Sequence, residues 1–219
     1  MNLLKKSFPM LLLLLCCVII GVVLSSAIFA FTGFSIFGKN RDVSSAPADV
    51  NNSAELTALA YKVLEYIKCG DFESLSNTAH PEFGVVFSPC ATVTLSTNRC
   101  FRPEQIAVFG DDSNVYVWGV RNGSGEPIEM TPSDYFASFV FDKDYTAAGV
   151  IGVNHVVKSG NALENIAEVF NDVRFVDFHM SGAGRDSPDD LGWSSLRLGF
   201  EEYGGVLMLT VILNSRWTE

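Results

Sequence analysis

Signatures of metal binding and of nucleophilic catalysis are missing from this chain. No Cys-x-x-Cys or His-x-x-x-His spacing occurs, and its three histidines stand apart at 80, 155 and 179, so a structural zinc site has no ligand set. There is no glycine-rich phosphate loop, and no serine or cysteine stands in a recognisable nucleophile motif. No motif therefore fixes a reaction, and no cofactor is implied.

Acidic residues are missing from the first 41 positions, which hold Lys5, Lys6, Lys39 and Arg41. All 25 acidic residues, against 11 of the 15 basic ones, thus fall in residues 42–219, a net charge of −14. Such a domain repels phosphate backbones, which argues against a nucleic-acid partner. Its plain consequence is solubility rather than a binding patch.

Charge of either sign is missing from positions 8–38, where the core reads MLLLLLCCVIIGVVLSSAIFA. About 20 such residues span a bilayer as a helix, so residues 1–38 read as a cytoplasmic tip and a transmembrane anchor. A cleaved signal peptide is the rival, since Lys5 and Lys6 precede the run and Ser25-Ser26-Ala27 offers small residues. The run is longer than the roughly 7 to 15 residues of a signal core, which favours the anchor. Cys16 and Cys17 follow leucines rather than the small residues of a lipidation site. The positive flanks nearly balance, and the large C-terminal part tips the orientation to N-in. The expectation is a single-pass protein of the cell membrane with its domain outside, or a secreted one if the segment is cleaved.

Residues 39–52 are polar and aperiodic and read as a linker, with the folded domain at 53–219. Leu56, Leu59, Ala60, Val63, Leu64 and Ile67 recur at helical spacing behind Ser53 as N-cap. Gly70 stops that helix, and FESLSNTAH makes a second, closed by Pro81. GVVFS, ATVTLS and VYVWGVR read as strands and NGSGEP as a turn. Thr131, Pro132 and Asp134 open a third helix with Tyr135, Phe136, Phe139 and Val140 on its apolar face.

Four strands follow: VIGVNHVV, VRFVDFHM, SSLRLGFEE and GVLMLTVIL. Paired glycines in EYGG predict a tight hairpin between the last two. Alternation assigns Leu196, Leu198 and Phe200 with Leu207, Leu209, Val211 and Leu213 to a core face. Ser195, Arg197 and Gly199 with Met208, Thr210 and Ile212 fall on a mixed face, which meets solvent or a second subunit.

The elements predict an α+β domain with helices against one curved antiparallel sheet. KCGDFESLSNTAHPEFGVVFSP and the closing WSSLRLGFEEYGGVLMLTVILNSRWTE resemble the nuclear transport factor 2-like (cystatin-like) superfamily, which includes polyketide cyclases. They also resemble a set of exported bacterial proteins sharing the His-Pro-Glu turn and a terminal strand that ends near a tryptophan, here Trp217. The resemblance covers about residues 53–219. It implies a cone-shaped fold with a pocket between helices and sheet, and a common habit of homodimerisation, but no single activity.

Several residues are candidates for chemistry, each with a structural alternative. Asp177 and His179 project from one face of a strand, where a carboxylate can orient an imidazole for proton transfer; cross-strand pairing explains them equally. His80, pushed out of the helix by Pro81, is a base beside a pocket or a capping residue. Tyr116, Trp118 and Tyr135 line an apolar pocket or fill a core. Arg197 binds an anion or pairs with Asp177, with packing on the sheet surface as the favoured structural alternative. His155 has no evident partner. Cys90 and Cys100 form a disulfide if their strands are neighbours, leaving Cys69 odd; three free thiols are the alternative. Asp186, Asp189 and Asp190 lack the spacing of a calcium loop and read as solvated.

The leading expectation is a non-catalytic, membrane-anchored extracytoplasmic domain that binds an envelope protein or a small apolar ligand. One alternative is a bitopic assembly factor of a secretion or conjugation system. The other is a small-molecule isomerase or hydrolase using Asp177 and His179.

Overall fold

The structure, a computed structural model, describes residues 46–182 and 191–217. The apolar run at 8–38 and the aspartates at 186, 189 and 190 lie outside these residues. Among the described residues no helix is long and apolar enough to cross a membrane. The chain from Ala46 onward clusters as a unit of its own.

The first helix, α1 (Ala46–Cys69), begins upstream of the expected cap, so the second half of the expected linker is helical. Ser53 lies inside it, its carbonyl accepting a hydrogen bond from Thr57 Oγ1. The predicted face is buried at Leu56, Ala60, Val63, Leu64 and Ile67, with Leu59 half-buried at its edge. Each buried side chain contributes about 1.5–3 kcal/mol by leaving water, less for the alanine. Gly70, at φ 65, turns the chain out of the helix. A short α2 (Phe72–Ser76) follows, capped by the Asp71 side chain, which accepts from the Ser74 amide.

The main sheet has six strands in the order β2-β1-β8-β7-β6-β5. These are β1 (Val85–Ser88), β2 (Arg99–Phe101), β5 (Val150–Val153), β6 (Arg174–Met180), β7 (Ser194–Tyr203) and β8 (Val206–Arg216). All neighbours are antiparallel except β1 and β8, which run parallel, so the sheet is mixed rather than wholly antiparallel. A separate hairpin joins β3 (Tyr116–Val120) to β4 (Pro127–Met130). The predicted β7–β8 turn is present, Gly204 and Gly205 both taking positive φ between paired Tyr203 and Val206.

One face of the sheet carries α1 and a large aromatic core that includes Phe87, Phe101, Phe109, Trp118, Tyr135 and Phe136. The third predicted helix is here: α4 (Pro132–Tyr135), preceded in the chain by a one-turn α3 (Pro103–Ile106), starts at Thr131 and widens into a π-helical turn over Phe136–Val140.

The opposite face differs from expectation. It is covered by this chain's own residues: the segment 154–170, ending in the one-turn α5 (Ile166–Val169), and Ala91 and Val93. ATVTLS is no strand. Asn165 receives the Val93 amide on Oδ1 at 2.7 Å and returns Nδ2 to the Val93 carbonyl at 2.9 Å, standing in for a strand neighbour.

A bulge changes the faces of β8. Gly199 pairs with Val211 and Phe200 with Leu209, leaving Thr210 as the extra residue, its hydroxyl donating to the Gly199 carbonyl. Beyond it the alternation inverts, so Val211 and Leu213 join the opposite-face cluster while Ile212 enters the main core.

Candidate functional site

Asp177 and His179 share one face of β6 as predicted, and both are buried beneath the covering segment. Each is engaged by its cross-strand neighbour on β7, Asp177 opposite Arg197 and His179 opposite Ser195. The wholly buried Arg197 guanidinium lies 3.2 Å from Asp177 Oδ2 and 2.5 Å from Glu164 Oε2, and 5.4 Å from the Phe175 ring centroid. The Val157 amide donates to the same Asp177 oxygen at 2.9 Å. Asp177 Oδ1 and Arg197 Nε have no hydrogen-bond partner. His179 Nδ1 is 3.0 Å from Ser195 Oγ, and its ring lies beside Trp193. Arg197 thus pairs with Asp177, adding Glu164, and this carboxylate is committed to holding the covering segment down.

Trp118 and Tyr135 stack at 3.9 Å inside the aromatic core, Trp118 Nε1 donating to the Met130 carbonyl. They fill a core instead of lining a pocket, and burial pushes the Tyr135 hydroxyl well above its ordinary pKa. Tyr116 lies at a shallow surface depression, donating to Asp112 Oδ2 at 2.8 Å. His80 accepts the Phe83 amide on Nδ1 and packs on Tyr203, the capping role, while also edging an open polar hollow with Asp172, Arg174, Glu201 and Glu202. His155 is exposed, beside Glu164 and Phe175. Neither Asp177 nor His179 lines any of these hollows.

The Cys90–Cys100 disulfide is not formed; Cys69, Cys90 and Cys100 are free thiols. Cys100 sits opposite Val86, not beside Cys90, and the two thiols turn to different carbonyls, of Phe83 and Thr92.

A cavity of about 470 Å³ opens at the end of the aromatic core, where β1 and β8 run out and the β3–β4 turn folds over them. Pro89, Val120, Ile128 and Phe139 form its apolar wall, and Arg121, Arg216, Cys90 and the turn 122–124 its polar part. Three local features build it. Gly119 lets β3 approach Pro89, since a Cβ there would meet the proline ring at 3.1 Å. The π-turn carries Phe139, which stacks on Tyr135 at 5.2 Å. The bulge in β8 turns Arg216 to this side, opposite Ser194.

Arg216 is held in place. Its Nε donates to Asn214 Oδ1 at 2.6 Å and Nη2 to the Ser138 carbonyl at 2.9 Å, and its guanidinium lies 5.2 Å from the Phe139 ring centroid. Asp142 stands 3.7 Å from Nη1, and its other oxygen accepts from the Tyr145 hydroxyl, itself 2.9 Å from Ser194 Oγ. Burial raises the Tyr145 pKa above the usual phenol value, and burial likewise pushes up the Cys90 thiol, so both stay protonated near neutrality.

Counting by twos along β8 from Leu209 assigns Arg216 to the mixed face, which is why this site escapes a sequence reading. Gly199, a glycine inside a strand opposite the register shift, is the one trace of the bulge in the sequence. Among the described residues no three His, Cys, Asp or Glu side chains gather as metal ligands. No protein-family model matches the chain, and no curated protein matches it.

Proposed function

We propose that this chain is a non-catalytic binding protein of the nuclear transport factor 2-like type, anchored in a membrane by residues 8–38 and holding a small ligand outside it in the cavity at Phe139 and Arg216. The observation that carries the proposal is that cavity: it combines an apolar wall with a fixed guanidinium, the combination by which small-molecule sites bind and orient. Helices against one face of a six-stranded sheet are consistent with the family resemblance. The commitment of Asp177 to Arg197 supports binding over proton transfer.

Residues 46–217 contain both hydrophobic clusters and so carry what an independent fold needs. Native mass spectrometry of purified residues 42–219 is the test. The expected result is a retained small molecule that is lost in a Val120→Trp variant, where the new ring fills the cavity. Retention unaffected by that change, or turnover of the retained molecule, overturns the proposal. An empty protein overturns its small-ligand part and directs the search to envelope proteins. The anchor predicts that the full chain stays in the membrane pellet after alkaline washing; release into the supernatant counts against it.

A further inference from the structure

We infer that the ligand of this cavity is an amphipathic anion: a carboxylate, phosphate or sulfonate on an aromatic or aliphatic body. The inference rests on the cavity being a ligand site and adds the class of molecule.

Charge is the first ground. In a chain of net charge −10, the cavity lining holds Arg121 and Arg216 and no acidic residue. Arg121 is exposed on the β3–β4 turn and enters no ion pair among the described residues. Arg216 has one carboxylate near it, Asp142, at 3.7 Å, longer than the roughly 2.7–2.9 Å of a charge-assisted hydrogen bond. Its charge is therefore only loosely matched, and its side chain is 30% exposed.

Geometry is the second ground. Asn214 and Ser138 fix the guanidinium through Nε and one Nη2 hydrogen, leaving further N–H groups to meet an anion without a search for position. Phe139, stacked on Tyr135 and next to the Arg216 cation, adds its half-buried ring to the apolar lining beside the charge. Pro89, Val120 and Ile128 continue that surface, so the charged and apolar halves of one molecule are served together. A volume of about 470 Å³ falls within the usual range for small-molecule sites.

The test compares two fluorescent probes of one shape, 1-anilinonaphthalene-8-sulfonate and its neutral counterpart N-phenyl-1-naphthylamine, titrated into residues 42–219. Expected is tighter binding of the sulfonate, weakened about tenfold or more in Arg216→Gln or Arg121→Gln while the neutral probe is unaffected, the worth of one charged hydrogen bond. Arg121 is on the surface, so its variant keeps the test valid if Arg216→Gln fails to fold. Equal affinity for both probes, or sulfonate binding unchanged in the folded variants, overturns the inference while leaving the cavity as a neutral-ligand site. Binding of neither probe, or binding that Val120→Trp does not block, overturns the ligand site itself. Free fatty acids and anionic lipids share this chemistry. Displacement of the sulfonate probe by decanoate alone assigns a free acid, and displacement by dihexanoyl phosphatidylglycerol alone assigns a lipid; either supports the inference.

Discussion

Arg197 is the residue on which the covered face of the sheet depends. Two carboxylates, Asp177 and Glu164, converge on its wholly buried guanidinium. A buried ion pair adds little over a well-packed apolar pair, but removing one partner leaves an uncompensated charge inside. Arg197→Ala is expected to cost about 3–5 kcal/mol in urea unfolding, and an Asp177→Leu/Arg197→Met double variant to recover much of it. A double variant as unstable as the single one would mean that the pair stabilises the fold in its own right. Asp71 offers a pH test at the same scale. Hydrogen bonds from the Ser74 side chain and amide lower its pKa below 3.8, so its contribution is present above that value and is lost as pH falls through the lower folded pKa. An Asp71→Asn variant should show a flatter fall in melting temperature below about pH 4 than the parent.

At the scale of elements, the decisive feature is one extra residue in β8. Without the bulge at Thr210, Val211 and Leu213 would face α1 and Arg216 would face the covering segment. Gly199 makes room for it: a Cβ at this position would stand 2.5 Å from Val211 Cγ1 and 3.0 Å from Val173 Cγ2. Gly199→Val is therefore expected to destabilise by about 1–3 kcal/mol, as overpacking of a tight core does, and to loosen the probe affinity at Arg216 as the register beyond it shifts. Unchanged stability and affinity would show that the register is held elsewhere. Asn165 has the same kind of role between segments, since its two hydrogen bonds tie 163–165 to Val93. Asn165→Ala should speed hydrogen exchange at the Val93 amide well ahead of the amides in β7, whose partners are backbone groups.

For the molecule as a whole, one sheet serves two cores, and its two faces carry separate reporters. Trp118 is buried in the aromatic core and Trp193 on the covered face, beside His179. Because both clusters share β1, β6 and β8, neither has an independent backbone to fold on. In a Trp217→Phe background of residues 42–219, which leaves one tryptophan in each, Trp118→Phe and Trp193→Phe variants are expected to report one common urea midpoint, corrected for each variant's own stability against circular dichroism. An earlier transition seen by Trp193 alone would show that the covering segment opens as a unit of its own.

Local periodicity was enough to determine the buried stripe of α1, the Thr131-Pro132-Asp134 helix start, the Gly204-Gly205 hairpin and the shared strand face of Asp177 and His179. Each depends on residues a few positions apart, or on a turn whose backbone angles glycine alone adopts readily. What the tertiary structure alone decided is where those elements face. The parallel pairing of β1 with β8 and the cover laid over the mixed face by 154–170 join residues far apart in the chain, and no alternation of neighbours encodes them. The candidate site belongs to this second class. Its arginine lies on the ligand side because a bulge breaks the period of two, and its wall is assembled from the ends of β1, β3, β4 and β8 and a π-turn, which meet only once the sheet has formed.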